Sequence, residues 1–144
     1  MTNANILLNG TEYGLSGLIL EIKRGATWKE TFLFEGNLTV GTFKGYLCRK
    51  KEGDFLTEFS FSTPEYGDFL DTEKNLLEGF TRVDAFLSPI NTTNLPLTPE
   101  KQTSSPRAGR DFWEADIEFE KDNGVTVIPL LSAIVYVRGQ CQGG

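Results

Sequence analysis

Residues 111–128 read DFWEADIEFEKDNGVTVI. Apolar and acidic residues alternate through this stretch: Trp113, Ala115, Ile117 and Phe119 fall on one side, Glu114, Asp116, Glu118 and Glu120 on the other. Side chains in a strand point to opposite faces in turn, so the pattern is that of a strand with one face in a core and the other outside it. Lys121-Asp122-Asn123-Gly124 follows, and Asn123 and Gly124 both tolerate positive φ. This predicts a hairpin turn centred on them and a return strand from Val125 to Ile128, broken at Pro129 and resumed from Leu130 to Val137.

The same signal recurs upstream. Strands are expected at Leu18 to Lys23 and at Thr27 to Glu35, where Trp28, Phe32 and Phe34 share a face. Gly25 lies in the turn between them. A third strand is expected at Thr42 to Lys50, with Phe55 to Phe61 as its hairpin partner across Glu52-Gly53-Asp54. Residues 62–79 carry Pro, Gly and acidic residues and read mostly as loop, with room for one helical turn between Asp71 and Glu78. Alternation resumes from Phe80 to Ser88, with Val83, Ala85 and Leu87 on one face. Pro89 to Arg110 contains four prolines and many Thr, Ser and Asn, and reads as an extended, solvated excursion.

About seven strands at short spacing, with helical periodicity nearly absent, predict an all-β, immunoglobulin-like antiparallel sandwich. Its expected limits are 18–138, preceded by an arm at 1–17 and followed by a Gly-rich tail at 139–144. With 144 residues the chain has the size of one domain, enough to bury roughly 68% of its unfolded surface. Trp28, Phe32, Phe34, Trp113, Ile117 and Phe119 are its expected core. Gly25, Asn123 and Gly124 are its expected turn residues.

The totals exclude several classes of function. The net charge is −6, whereas phosphate contacts need clustered Lys and Arg, so nucleic acid is not an expected partner. No apolar run approaches a membrane span, and MTNANILLNG lacks the pattern of a signal peptide. The chain has no histidine, which removes Ser-His-Asp and Cys-His nucleophile systems and leaves a zinc site short of ligands. Cys48 and Cys141 are the only cysteines, and Cys48 reads as a small buried hydrophobe with a disulfide to Cys141 as the alternative. There is no Walker loop and no dinucleotide glycine pattern, so no cofactor is expected.

Four carboxylates at roughly 7 Å intervals on one strand face repel one another and need cations, solvent or a basic partner surface. Lys44, Lys50 and Lys51 are the nearest cross-strand candidates. No Asp-rich Ca²⁺ loop spacing is present, so no metal site is expected. Glu114 and Asp116 lack the groove and stacked aromatics that a glycosidase needs, so no catalytic residue is assigned. The candidate interface is Glu114, Asp116, Glu118 and Glu120, together with Thr92, Thr93, Asn94 and Leu95 in the long excursion and the arm at 1–17.

Four landmarks occur in order: Arg24-Gly25-Ala26-Thr27-Trp28; Gly41-Thr42-Phe43 leading to Arg49-Lys50; Thr93-Asn94-Leu95 before Trp113-Glu114-Ala115-Asp116-Ile117; and Asn123-Gly124 before Ile134-Val135-Tyr136-Val137. This order resembles the immunoglobulin-like N-terminal domain of phage baseplate upper proteins, over about residues 18 to 138. Two features depart from the family pattern: the segment before Trp113 is longer and richer in Pro, and an Asp expected just before Gly41 is missing.

The resemblance implies a non-enzymatic virion protein, a tail or baseplate adaptor assembled in the host cytoplasm, with other virion proteins as partners and a homo-oligomeric state in the particle. No receptor-binding shaft is expected to follow the sandwich. A capsid decoration protein is the alternative within that class. A carbohydrate-binding module is the alternative outside it, for which Phe112, Tyr136 and Tyr66 are the candidate outward aromatics.

Overall fold

The computed structural model describes residues 6–8, 11–13, 18–49, 53–71, 73–98 and 112–139. The strands are β1 (Ile6–Leu8), β2 (Thr11–Tyr13), β3 (Ile19–Lys23), β4 (Trp28–Glu35), β5 (Thr42–Arg49), β6 (Asp54–Glu58), β7 (Ser60–Phe61), β8 (Glu65–Leu70), β9 (Leu76–Leu87), β10 (Trp113–Lys121) and β11 (Thr126–Arg138). One short helix, α1 (Pro89–Thr93), follows β9. One sheet runs β2-β1-β4-β9-β7, with β8 also on β9; the other runs β3-β11-β10-β5-β6. The protein is therefore an all-β, immunoglobulin-like sandwich. Its pairings are antiparallel except for β3, which lies parallel to β11 from Ile19↔Ile134 to Arg138↔Lys23.

Alternation explains the core. Phe32, Phe34, Val83, Ala85 and Leu87 from one sheet meet Leu47, Ala115, Ile117, Phe119 and Val135 from the other, and all are buried. Phe43 links the layers, with ring centroids 5.9 Å from Phe34 and 5.2 Å from Phe119. Each large apolar side chain so buried contributes roughly 1.5–3 kcal/mol against the cost of ordering the chain. A smaller cluster, Leu33 and Phe80 with Phe69 and Leu77, lies apart from this core. The buried Thr81 is satisfied: its hydroxyl donates to Gly36 O at 2.6 Å and accepts from Leu38 N at 2.8 Å, pinning the turn after β4.

Several expectations are corrected. Phe55 to Phe61 is not one hairpin partner. β6 pairs with β5, the chain crosses the sandwich at the buried Phe59, and β7 pairs with β9 in the opposite sheet. Unbroken alternation carries no mark of a change of sheet. Residues 62–79 are not mostly loop, because β8 and the first part of β9 form a hairpin there, closed by Asp71, whose carboxylate accepts from Glu73 N and Asn75 N, both at 2.8 Å. Pro129 does not end a strand. It sits at a bulge where the register steps between Ile117↔Leu131 and Glu118↔Pro129, a position where the missing N–H is tolerated.

The β10–β11 turn also differs. Lys121 pairs with Thr126, which leaves four residues in the loop, and Asp122, Asn123 and Gly124 all have positive φ. The left-handed pair that opens the turn is thus Asp122-Asn123, one residue earlier than expected. Gly25 also has positive φ, in the turn between β3 and β4. Within the expected arm at 1–17, β1 pairs with β2 and with β4 at Phe32–Phe34. Lys50, Lys51, Cys141, residues 99–111 and residues 140–144 lie outside the described residues.

Candidate functional site

The acidic row of β10 lies between β5 and β11. Glu118 stands opposite Lys44 and Asp116 opposite Tyr46 on one side, and Asp116 opposite Ser132 on the other. All four carboxylates are half-buried. The row has partners within the sheet: Lys44 Nζ lies 3.5 Å from Glu120 Oε1 and offsets its charge, and Ser132 Oγ donates to Asp116 at 2.8 Å. Burial raises the pKa of Glu118, and the neighbouring Glu120 and Asp116 add to the shift while Lys44 opposes it. Of the three lysines expected to serve the row, Lys44 does so. Among the described residues no group of three or more acidic or Cys side chains is placed to hold a metal ion.

The second nominated surface is corrected. Thr92 and Leu95 are 0% and 3% exposed, so they belong to the core rather than to a solvated interface. Ser88 caps α1, accepting from Asn91 N at 3.4 Å, and Pro89 stands in the first turn, where no N–H is needed. The helix is then tied to the sandwich. Thr92 Oγ1 donates to Ala26 O at 2.9 Å, Arg24 Nε donates to Thr93 O at 3.1 Å, and Thr98 brackets Val137 with bonds of 3.0 and 3.2 Å. Only Thr93 and Asn94 of the four nominated residues are exposed. Ser88-Pro89 followed by apolar Ile90 was the local signal for this helix, masked by the surrounding Thr and Asn.

The core residues fall where they were expected: Trp28, Phe32, Phe34, Trp113, Ile117 and Phe119 are all buried. The two tryptophans differ in one respect. Trp113 Nε1 donates to Pro96 O at 3.1 Å, whereas Trp28 Nε1 is buried with no partner. Cys48 is half-buried on β5 rather than fully buried. The candidate sugar-binding aromatics are split between sheets, Tyr66 on β8 and Tyr136 on β11, so with Phe112 they cannot form a single platform.

Surface apolar residues are concentrated at the two ends of the sandwich. At the end holding the 36–41 loop, the 71–75 turn and the 122–125 turn, Val40, Leu70, Leu76 and Val125 are exposed. A shallow polar groove lies there between Thr39–Thr42 and Glu120–Gly124, crossed by the Lys44–Glu120 pair. At the opposite end Ile90, Leu97 and Phe55 are exposed. Such residues on loop and hairpin tips are suited to contact with another macromolecule.

The fold and surface define a two-sheet β-sandwich with apolar loop tips at both ends. No family model matches the chain, and no curated protein does.

Proposed function

We propose that the chain is a non-enzymatic structural protein of a phage virion, a tail or baseplate adaptor that joins larger assembly proteins. The observation that carries this reading is where the family-like landmarks fall. Arg24 and Gly25 form the turn into β4, with Arg24 bonded to Thr93. Gly41-Thr42-Phe43 leads into β5, and a Cβ on Gly41 would meet the Glu120 carbonyl of β10. Of Thr93-Asn94-Leu95, Leu95 is buried in the core cluster that also holds Trp113 of β10, and the next residue, Pro96, accepts from Trp113 Nε1. Asn123 and Gly124 make the β10–β11 turn. The glycine-bearing parts of these landmarks thus sit at turns and strand starts of the sandwich, while Trp113–Ile117 and Ile134–Val137 lie within β10 and β11, an arrangement that supports a shared architecture.

Assembly fits the surface chemistry, since exposed aliphatic tips at both ends allow contact with two neighbours at once. Partners on this reading are other virion proteins and further copies of the chain. The test is immunogold electron microscopy of particles from the source, with an antibody against the chain. Label at the tail end is the expected result; label over the head would make it a capsid decoration protein, and unlabelled particles would overturn a virion role.

A further inference from the structure

β8 lies at an edge of its sheet, and among the described residues it pairs with β9 alone. Backbone groups in a strand point to either side in turn, so the direction of each one in β8 can be assigned from both ends of the strand. Asp71 N donates to Asn75 O, and Asp84 of β9 bonds Ser62 through its N–H and its carbonyl, which sets Arg82, two residues on, toward Glu65. Glu65, Gly67 and Phe69 therefore direct their backbone groups at β9. Tyr66, Asp68 and Leu70 direct theirs outward, and the side chains of all three are exposed. Nothing blunts this edge. Residues 65–70 contain no Pro and no Lys, and their two carboxylates are engaged inside the chain, Glu65 with Arg82 at 3.1 Å and Asp68 as acceptor from Gly79 N at 3.1 Å.

We infer that two copies of this chain pair through β8, antiparallel across a two-fold axis, and so join their sheets into one. Only outward-directed residues can bond across such a joint, so the fullest overlap of β8 with itself puts the axis at Gly67 or at Asp68. An axis at Asp68 sets two carboxylates directly opposite each other, which is destabilising. An axis at Gly67 removes that conflict and matches the charges. Tyr66 then exchanges hydrogen bonds with Asp68 of the second copy, and Glu65 stands opposite the second copy's Phe69. Arg82 lies over the Phe69 ring, 5.0 Å from its centroid, so Glu65 meets the guanidinium of the other copy as well as its own. Leu70, 62% exposed, falls diagonally across the joint from Tyr66, 50% exposed, and each covers the other. The second copy is thus the occupant whose charges and apolar side chains fit this edge. The pairing gives one partner of the adaptor reading, a further copy of the chain, its place on the surface, and it rests on that reading only there.

The experiment is sedimentation velocity of the purified full chain across concentration, with substitutions at the axis. A Cβ at Gly67 would meet nothing within 4 Å, so Gly67→Lys and Gly67→Glu have room in the single chain, while across the axis each sets like charges face to face. The expected result is a wild-type chain that passes from monomer to dimer and grows no further, because a two-fold joint closes on itself. Each charge variant alone weakens dimerisation about tenfold or more, and an equimolar mixture of the two regains it as a mixed pair. Gly67→Cys gives a disulfide-linked dimer under mild oxidation, since opposed residues that are not hydrogen-bonded have Cα atoms about 4.5 Å apart, within reach of a disulfide. Mass spectrometry places that link at position 67 of both chains, and Val125→Cys, exposed but off this edge, gives none. Circular dichroism melts confirm folding; a charge variant that does not fold is replaced by Tyr66→Pro, which takes an N–H from the free edge and none from the β8–β9 ladder. A wild-type chain that stays monomeric up to its solubility limit, a dimer that the charge variants leave unchanged, or a Gly67→Cys chain that does not link would overturn the inference. None of these outcomes touches the particle-labelling result, so the two readings fail separately.

Discussion

Trp113 donates its indole N–H to the carbonyl of Pro96 at 3.1 Å, fastening the start of β10 to the segment that follows α1. Trp28, its counterpart on β4, buries the same donor without a partner. Both rings are in the core, so the difference between them isolates a hydrogen bond. Removing a donor strands an acceptor in one case and relieves an orphan in the other, effects of about 1–3 kcal/mol and of opposite sign. Trp113→Phe should therefore destabilise the protein more than Trp28→Phe by about that amount. Urea unfolding midpoints of the two variants check it, and equal midpoints would contradict the pairing.

Excision of residues 92–106 is expected to cost stability. It removes the buried Thr92 and Leu95, the Pro96 acceptor and the Thr98 clasp on Val137. Loss of one buried leucine alone is worth about 2–5 kcal/mol. The deleted chain should melt well below the wild type by circular dichroism, and an unchanged melting temperature would show that 92–98 contributes nothing to the core.

Gly41 should not accept a side chain. A Cβ there would collide with the Glu120 carbonyl oxygen and come within 2.6 Å of the Phe119 ring, both fixed in the neighbouring strand. Gly36 has open space but a φ of +97°, so its penalty is conformational only. Gly41→Ala is expected to destabilise by about 1–3 kcal/mol or more, as overpacking does. Gly36→Ala should cost about 1 kcal/mol, the price of a left-handed alanine. Thermal melts of the two variants should preserve that order.

Acidification has a signed consequence at Glu118. Burial, with Glu120 and Asp116 beside it, raises the folded-state pKa of its carboxyl above the ordinary value. The folded state then binds this proton more tightly than the unfolded one, so the group opposes folding above its folded pKa. That opposition fades as pH falls through the folded pKa toward the unfolded value. Glu118→Gln should stabilise the protein at neutral pH and show no such gain below about pH 4. Denaturation of both proteins between pH 3 and 7 tests this; a gain that persists unchanged at the acid end would assign it to something other than ionisation.

How much of this was legible in the sequence depends on how each segment is buried. β5 and β10 stand out because one face is in the core and the other is not, which writes period two into Trp113 to Phe119; β4 shows it in Trp28, Phe32 and Phe34, although Leu33 on its other face is also buried, in the second cluster. β8 was hidden because it lies at an edge of its sheet, where Tyr66 and Leu70 are exposed and acidic residues are tolerated. The crossing at Phe59 left no trace, since the alternation continues while the sheet changes. The packed segment around α1 was hidden by composition, because Thr92 satisfies its hydroxyl on backbone carbonyls and becomes as buried as a leucine. In the candidate surface, the acidic row and Lys44 as one of its candidate cations could be read directly, but that Lys44 meets Glu120 follows only from the structure.

The parallel pairing of β3 with β11 bears on how the molecule carries load. Traction applied along the strands, at the start of β3 and the end of β11, pulls the two in opposite directions along their shared ladder. The five residue pairs from Ile19↔Ile134 to Lys23↔Arg138 are then strained together, in shear, instead of parting one at a time as at the open end of a hairpin. Through this pair the sandwich would resist stretching as a unit.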